Sequence, residues 1–326
     1  MNSGKILVSG GAGYIGSVLV RLLLRKGLAV RVLDSLRYGG ETLVELFNDP
    51  GFEFQKGDVR CDNDLEKALD GVETVVHLAA IVGDPACARE PQLARETNFL
   101  ATRRFYKLAN ENGAKKFIYA STCSNYGKMK DSETYVDETS ELAPVSLYAE
   151  TKVESEKFLL SRPRPNSCKP TCLRFSTVYG LSPRIRFDLT VNEFTKELAM
   201  GRELVVFGEQ FWRPYCHVYD LARAVMTVLE APESKVAFEV FNVGDTGENY
   251  QKRMLANEIL KLIPEGKVKY FHKTEDPRDY RVSFKKIGEQ LGFRITKRVP
   301  DGIEQIIRVI RDGMLVNPDD PKYKNI

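Results

Sequence analysis

Residues 9–17 read SGGAGYIGS, and they join a strand-like run, KILVS (5–9), to a helix-like run from Tyr14 to Lys26 that stops at Gly27. Two glycine counts compete for this stretch. From Gly11 the spacing is G-x-G-x-x-G; from Gly10 it is G-x-x-x-x-x-G with Gly13 midway. In either register the glycines allow a tight turn and a close backbone approach, and the helix start that follows favours an anionic phosphate. An acid belongs at the end of the next strand, and AVRVLD (29–34) delivers Asp34 there, 18 residues past Gly16. A carboxylate at that place accepts hydrogen bonds from ribose hydroxyls and repels a 2′-phosphate, which favours NAD over NADP. Arg37 nearby is the one feature that leans the other way.

The same strand–helix alternation continues outward from this turn. FEFQKGD (52–58), TVVHLAA (74–80), KFIYAST (116–122), TCLRFS (171–176) and FEVFNVG (238–244) read as further strands, with a long helix expected over Gln92–Asn112. Near-continuous apolar strands separated by helices imply an α/β, doubly wound parallel sheet covered on both faces. After about Val178 the chain becomes rich in Arg, Pro and aromatics, as expected of a smaller lobe closing over a ligand. We therefore expect a nucleotide-binding domain of 1–178 plus roughly 216–245, and a substrate lobe of 179–215 plus 246–326. Asp220, ahead of LARAVMTVLE, reads as a helix N-cap.

Composition excludes several classes of function. The net charge is only +3 and no Lys/Arg block is present, which argues against a nucleic-acid partner. No apolar run approaches the roughly 20 residues that span a bilayer. Cys61, Cys87, Cys123, Cys168, Cys172 and Cys216 are irregularly spaced, and with three histidines they form no recognisable metal set. This usage suits a reducing, cytoplasmic setting, with Cys168 and Cys172 as core thiols.

The chemistry centres on SLYAETK (146–152). Tyr148 and Lys152 are four apart at a helix start and so share one face. An ammonium and a cationic nicotinamide beside the phenol would lower its pKa, making a base for an alcohol proton. Thr122, at the C-terminal end of its strand, would hold the same hydroxyl.

The glycines at 10, 13 and 16, Asp34, Asp58, HLAA (77–80), Asn98, Thr122, Tyr148-x-x-x-Lys152 and RPYCHVYD (213–220) together resemble the extended short-chain dehydrogenase/reductase family. Within it, the chain is similar to the NAD-dependent nucleotide-sugar epimerases and dehydratases typified by UDP-glucose 4-epimerase. The resemblance makes Gly10, Gly13 and Gly16 the meaningful count. It implies that Tyr14, Ile15, Asp58, Val59, Leu78, Ala79, Ala80, Asn98, Phe175 and Val178 contact NAD, together with Tyr148 and Lys152. Tyr148 would be the general base, Lys152 its activator, and Thr122 the partner of the sugar O4. Thr177 and Asn192 would contact the substrate, and Arg213 its diphosphate, with Arg278 or Lys273 as the second cation. A homodimer through the Gln92–Asn112 helix and the helix carrying Tyr148 is also implied.

Departures from the pattern narrow the reaction. The 4,6-dehydratases of the family place an Asp–Glu pair directly after the threonine, and the uronate decarboxylases keep a glutamate there. This chain has Cys123 and Ser124. Cys123 falls one position from the cysteine of the GDP-fucose synthase type, but no matching histidine accompanies it. Pro214 replaces an acidic residue beside Arg213. The expectation is C4 epimerisation of a nucleotide sugar through a 4-keto intermediate. A 4-dehydrogenase or 4-ketoreductase, and a silent NAD-binding scaffold, are the alternatives.

Overall fold

The computed structural model describes residues 4–128, 134–161, 167–272 and 278–325. Seven strands form one wholly parallel sheet: β1 (Lys5–Ser9), β2 (Val30–Asp34), β3 (Phe52–Lys56), β4 (Val72–His77), β5 (Lys116–Thr122), β6 (Lys169–Phe175) and β10 (Glu239–Val243). Their order is β10-β6-β5-β4-β1-β2-β3, so the sheet winds outward in both directions from β1 and β4. The β-branched and aliphatic runs are strands because both of their faces are covered. Ile6 and Val8 point into one core, Leu7 into the other; Val32 and Leu33 alternate in the same way.

This topology creates a crevice beyond the carboxyl ends of the strands, where β1 and β4 lead in opposite directions. Ser9, Asp34, His77 and Thr122 are the terminal residues of β1, β2, β4 and β5 on that edge. The second half of the chain adds short strands that sequence periodicity did not reveal: β7 (Thr177–Tyr179), β8 (Leu204–Phe207), β9 (Trp212–His217), β11 (Asn249–Gln251) and β12 (Val268–Phe271). They form a three-stranded sheet, β11-β9-β7, and a β12-β8 pair. These strands share a separate core of Phe194, Leu198, Tyr215, Ile259 and Ile303.

One expectation holds and one is corrected. The helix expected over Gln92–Asn112 runs unbroken from Pro91 to Glu111, with a single π-helical turn at Glu96–Leu100 between α-helical Pro91–Arg95 and Ala101–Glu111. Asp220 does not cap its helix. His217 does so, its Nδ1 accepting from the Tyr219 N–H at 3.1 Å, while Asp220 accepts from the backbone of Thr296 and Lys297. The acid is buried inside the first turn and ties it to the segment before the C-terminal helix. Among the described residues, no helix is long and apolar enough to cross a membrane, and no group of three His, Cys, Asp or Glu could hold a metal ion. All six cysteines are free thiols, and Cys168 and Cys172 are buried.

Candidate active site

The glycine turn decides its own register once it is folded. Gly10 has φ +78°, a conformation that side chains disfavour. A Cβ on Gly16 would stand 2.1 Å from the Gly10 carbonyl oxygen, whereas one on Gly11 would strike the Val32 side chain at 2.6 Å. Gly10 and Gly16 are thus needed for the turn and the helix start, and Gly11 for packing against β2. Gly16→Ala is expected to lower the dinucleotide retained per subunit at least tenfold and to destabilise the fold by about 1–3 kcal/mol. Acid-released nucleotide and a thermal melt measure the two effects.

Asp34 ends β2 beside this turn. Its carboxylate accepts from the Ala12 N–H at 3.0 Å and the Leu36 N–H at 2.9 Å. Burial pushes its pKa up, and those two N–H groups oppose the shift. The acid is thereby held in one orientation at the rim of a cleft of roughly 760 Å³. Asp58 also reaches the cleft, but it is clasped by the Arg60 guanidinium at 2.6–3.1 Å, which holds its carboxyl below the usual range.

Tyr148 and Lys152 project from the helix Leu147–Leu160, whose N-cap Ser146 accepts from the Ala149 N–H at 3.3 Å. Thr122, at the end of β5, faces Tyr148 within hydrogen-bonding reach, and its Oγ1 also accepts from the Ser124 N–H at 3.1 Å. The Lys152 ammonium donates to the Ala120 carbonyl at 2.7 Å and sits 5.9 Å from the Tyr148 ring centre. The three side chains therefore converge at one end of the cleft. Burial dominates their acidities. It pulls Lys152 down to about 8 and pushes Tyr148 up, the reverse of the expected lowering. Desolvation disfavours the buried phenolate more than Arg186 and Thr122 favour it.

Behind Thr122 lies a buried charged network. Glu156, one helical turn beyond Lys152, pairs with Arg174 of β6 at 2.7 Å and takes hydrogen bonds from Ser121 and Asn125. Glu156 and Arg174 are only 1% and 4% exposed. This network fixes the helix carrying Tyr148 and Lys152 to β5 and β6, behind Thr122.

Most of the sequence-designated residues line the cleft: Gly13, Tyr14 and Ile15 on the turn, Val59 beyond β3, Leu78, Ala79 and Ala80 beyond β4, and Phe175, Thr177 and Val178 around the end of β6. Arg213 and Arg278 line it as well. Arg213 donates to the Trp212 carbonyl at 2.6 Å and lies over the Tyr280 ring; Arg278 pairs with Asp84 at 2.6 Å. Two designated residues are not among those lining the cleft. Asn98 is one: its amide accepts from the Ile81 N–H at 2.8 Å and donates to the Ile81 carbonyl at 3.0 Å. Asn192 is likewise committed, accepting from the Gly180 N–H and donating to the Arg186 carbonyl. Both asparagines satisfy backbone groups and hold loops in place. Lys273 lies outside the described residues.

Sequence reasoning missed several cleft residues, three of them charged and used below. Asp84, the first residue of a short helix (Asp84–Arg89) after β4, accepts from the Ser146 hydroxyl at 2.7 Å and so links Arg278 to the cap of the helix carrying Tyr148. Arg184 and Arg186 enter from the loop after β7. The PRIRFD run signalled only a change of texture, because charges in a loop ordinarily face water.

Comparison with known proteins places this geometry. A family model described as the NAD dependent epimerase/dehydratase family matches residues 6–244. The chain is 31% identical over 323 residues to a dTDP-glucose 4,6-dehydratase of Streptomyces niveus, covering 95% of this chain and 93% of that one. It is 29% identical over 259 residues to a UDP-glucose 4-epimerase of Halalkalibacterium halodurans, covering 74% and 75%. Among solved structures it resembles DesIV, a dTDP-glucose 4,6-dehydratase from Streptomyces venezuelae with NAD and TYD bound. The TM-score there is 0.83 at 28% identity, over 94% of this chain and 97% of that one.

Proposed function

Because the chain belongs to the NAD dependent epimerase/dehydratase family, we propose that it epimerises a nucleotide-diphosphate sugar at C4. The residues fit NAD: Gly16 leaves the helix start open to a diphosphate, and Asp34 is oriented for a ribose. Bound NAD supplies the acceptor, and later the donor, of the C4 hydride. The protein's own work is to move one proton and orient one sugar. Tyr148 Oη takes the proton of the 4-hydroxyl, which Thr122 holds in line, and gives it back to the keto oxygen after the sugar has turned. Lys152 stabilises the phenolate, and Arg213 and Arg278 are the cations at hand for the diphosphate.

One observation carries the choice among reactions of the family. Of the two residues after Thr122, Cys123 is turned into the core, its thiol on the Arg174 carbonyl, and Ser124 faces the cleft. Elimination across C5–C6 needs an acid and a base at that end. Neither Cys123 nor Ser124 supplies a carboxyl group, and burial pushes the Cys123 thiol well up, away from thiolate. The test is a panel of UDP-, GDP-, CDP- and dTDP-sugars. Isomer formation with no net NADH absorbance supports the proposal; stoichiometric absorbance change means a 4-dehydrogenase or ketoreductase, and loss of water means a dehydratase.

Asp84 bears on which sugar is accepted. Its charge is felt at Tyr148 even with Arg278 paired to it and Arg186 opposing it, so Asp84 weighs against the second carboxylate that a uronate would bring. For whichever nucleotide the panel selects, kcat/KM for the neutral sugar is expected to exceed that for its uronate by about a hundredfold, and Asp84→Asn to narrow the ratio. Equal turnover of both would contradict this reading. We also infer a homodimer through the helices at 91–111 and 147–160, where Leu100 is 41% exposed; light scattering decides it.

A further inference from the structure

The wall of the cleft facing the glycine turn is the run GLSPRIRFD, residues 180–188. It is bolted to that turn. The Tyr14 hydroxyl donates to the Gly180 carbonyl, and the Ser182 hydroxyl donates to the Tyr14 carbonyl at 2.7 Å. Asn192 holds the far end through the Arg186 carbonyl at 2.8 Å.

Two arginines of this wall line the cleft, and they differ in one respect. Arg186 is satisfied by a two-pronged pair with Asp188 at 3.0 and 2.7 Å. Arg184 is 6% exposed, lies 4.3 Å from the Tyr38 ring centre, and donates one long bond of 3.4 Å to the Lys324 carbonyl. Its Nε is buried with no acceptor. A guanidinium taken out of water with so little in return is costly unless an anion completes it. Asp188 and Asp34 both lie close enough for it to feel their carboxylates. With Asp34 read as the ribose acid, this puts Arg184 on the adenylate side of a dinucleotide seated on the glycine turn.

We propose that Arg184 is a cofactor-binding residue: it closes on the adenylate half of NAD from the wall opposite the glycine turn and makes the cofactor resident. The turn and the helix start present backbone N–H groups from one side only. A planar guanidinium opposite them adds a full charge and a paired donor geometry. This proposal concerns cofactor retention and goes beyond the assignment of the sugar reaction. It also suits an enzyme in which the cofactor would hand the hydride back to the sugar that gave it.

The experiment compares wild type with Arg184→Met, which keeps the stem against Tyr38, and with Arg184→Lys. NAD is measured per subunit after gel filtration, and Kd for NAD and for NADP by calorimetry on cofactor-stripped protein, with no sugar present. Expected for Arg184→Met is loss of retained NAD and a Kd raised about ten- to hundredfold, with Arg184→Lys intermediate. The melting temperature of the stripped variant should match that of stripped wild type. An unchanged Kd for NAD overturns the proposal, and so does a change confined to NADP, which would make Arg184 a reader of the 2′-phosphate. A fall in the stripped melting temperature that accounts for the loss would overturn it too, showing a packing role. Because no sugar is used, none of these outcomes depends on the epimerase assignment.

Discussion

Tyr148→Phe is expected to lower kcat by about 10²–10⁴-fold, leaving retained NAD within a few-fold of wild type. The substitution removes one oxygen from a buried ring and keeps the ring's packing. Thr122 would still orient the sugar hydroxyl, and Lys152, bonded to the Ala120 carbonyl, would still occupy its place. What disappears is the phenol that the proposed mechanism uses as its base. Burial pushes the Tyr148 phenol up, so on the proposed mechanism a positive charge beside it would be what favours the phenolate. Equal steady-state turnover by Tyr148→Phe and wild type would refute the assignment of the base.

Glu156→Ala is expected to cost about 3–5 kcal/mol of folding stability, the largest such effect of any single substitution considered. Arg174 would be left charged among β5, β6 and the catalytic helix, still bonded to the Tyr126 hydroxyl at 2.9 Å but stripped of its carboxylate. Ser121 and Asn125 would lose their common acceptor at the same time. Glu156→Gln keeps an acceptor and should cost less. Urea unfolding of the two variants beside wild type measures the difference; an Ala variant within 1 kcal/mol of wild type would show that the network contributes little.

The architecture was legible in this sequence because a buried parallel strand has a distinctive composition. All seven strands of the large sheet coincide with apolar runs read beforehand, and the glycine turn, Thr122, Tyr148 and Lys152 meet at its carboxyl edge. The failures share a physical cause. Glu156 and Arg184 are charged residues, which a sequence reading places in water, and only tertiary neighbours reveal that they are buried. Asn98 and Asn192 were legible as important but not as inward-facing staples, since an amide serves a ligand and a backbone equally well. The short strands β7 to β9 and β11 to β12 have three to six residues each, too few for periodicity to separate them from loops.

The strand order has a consequence for how the protein is made. Six of the seven parallel strands have been synthesised by Phe175, yet β10, which pairs along the free side of β6, begins only at Glu239. Throughout the intervening excursion the nascent sheet carries an open edge running through Cys172, Leu173 and Phe175. Such an edge templates pairing with other chains. Any chain ending between 176 and 238 keeps it permanently. Until β10 is made, a nascent sheet would hold the β6 edge uncovered, and over that stretch pairing with other chains competes with folding.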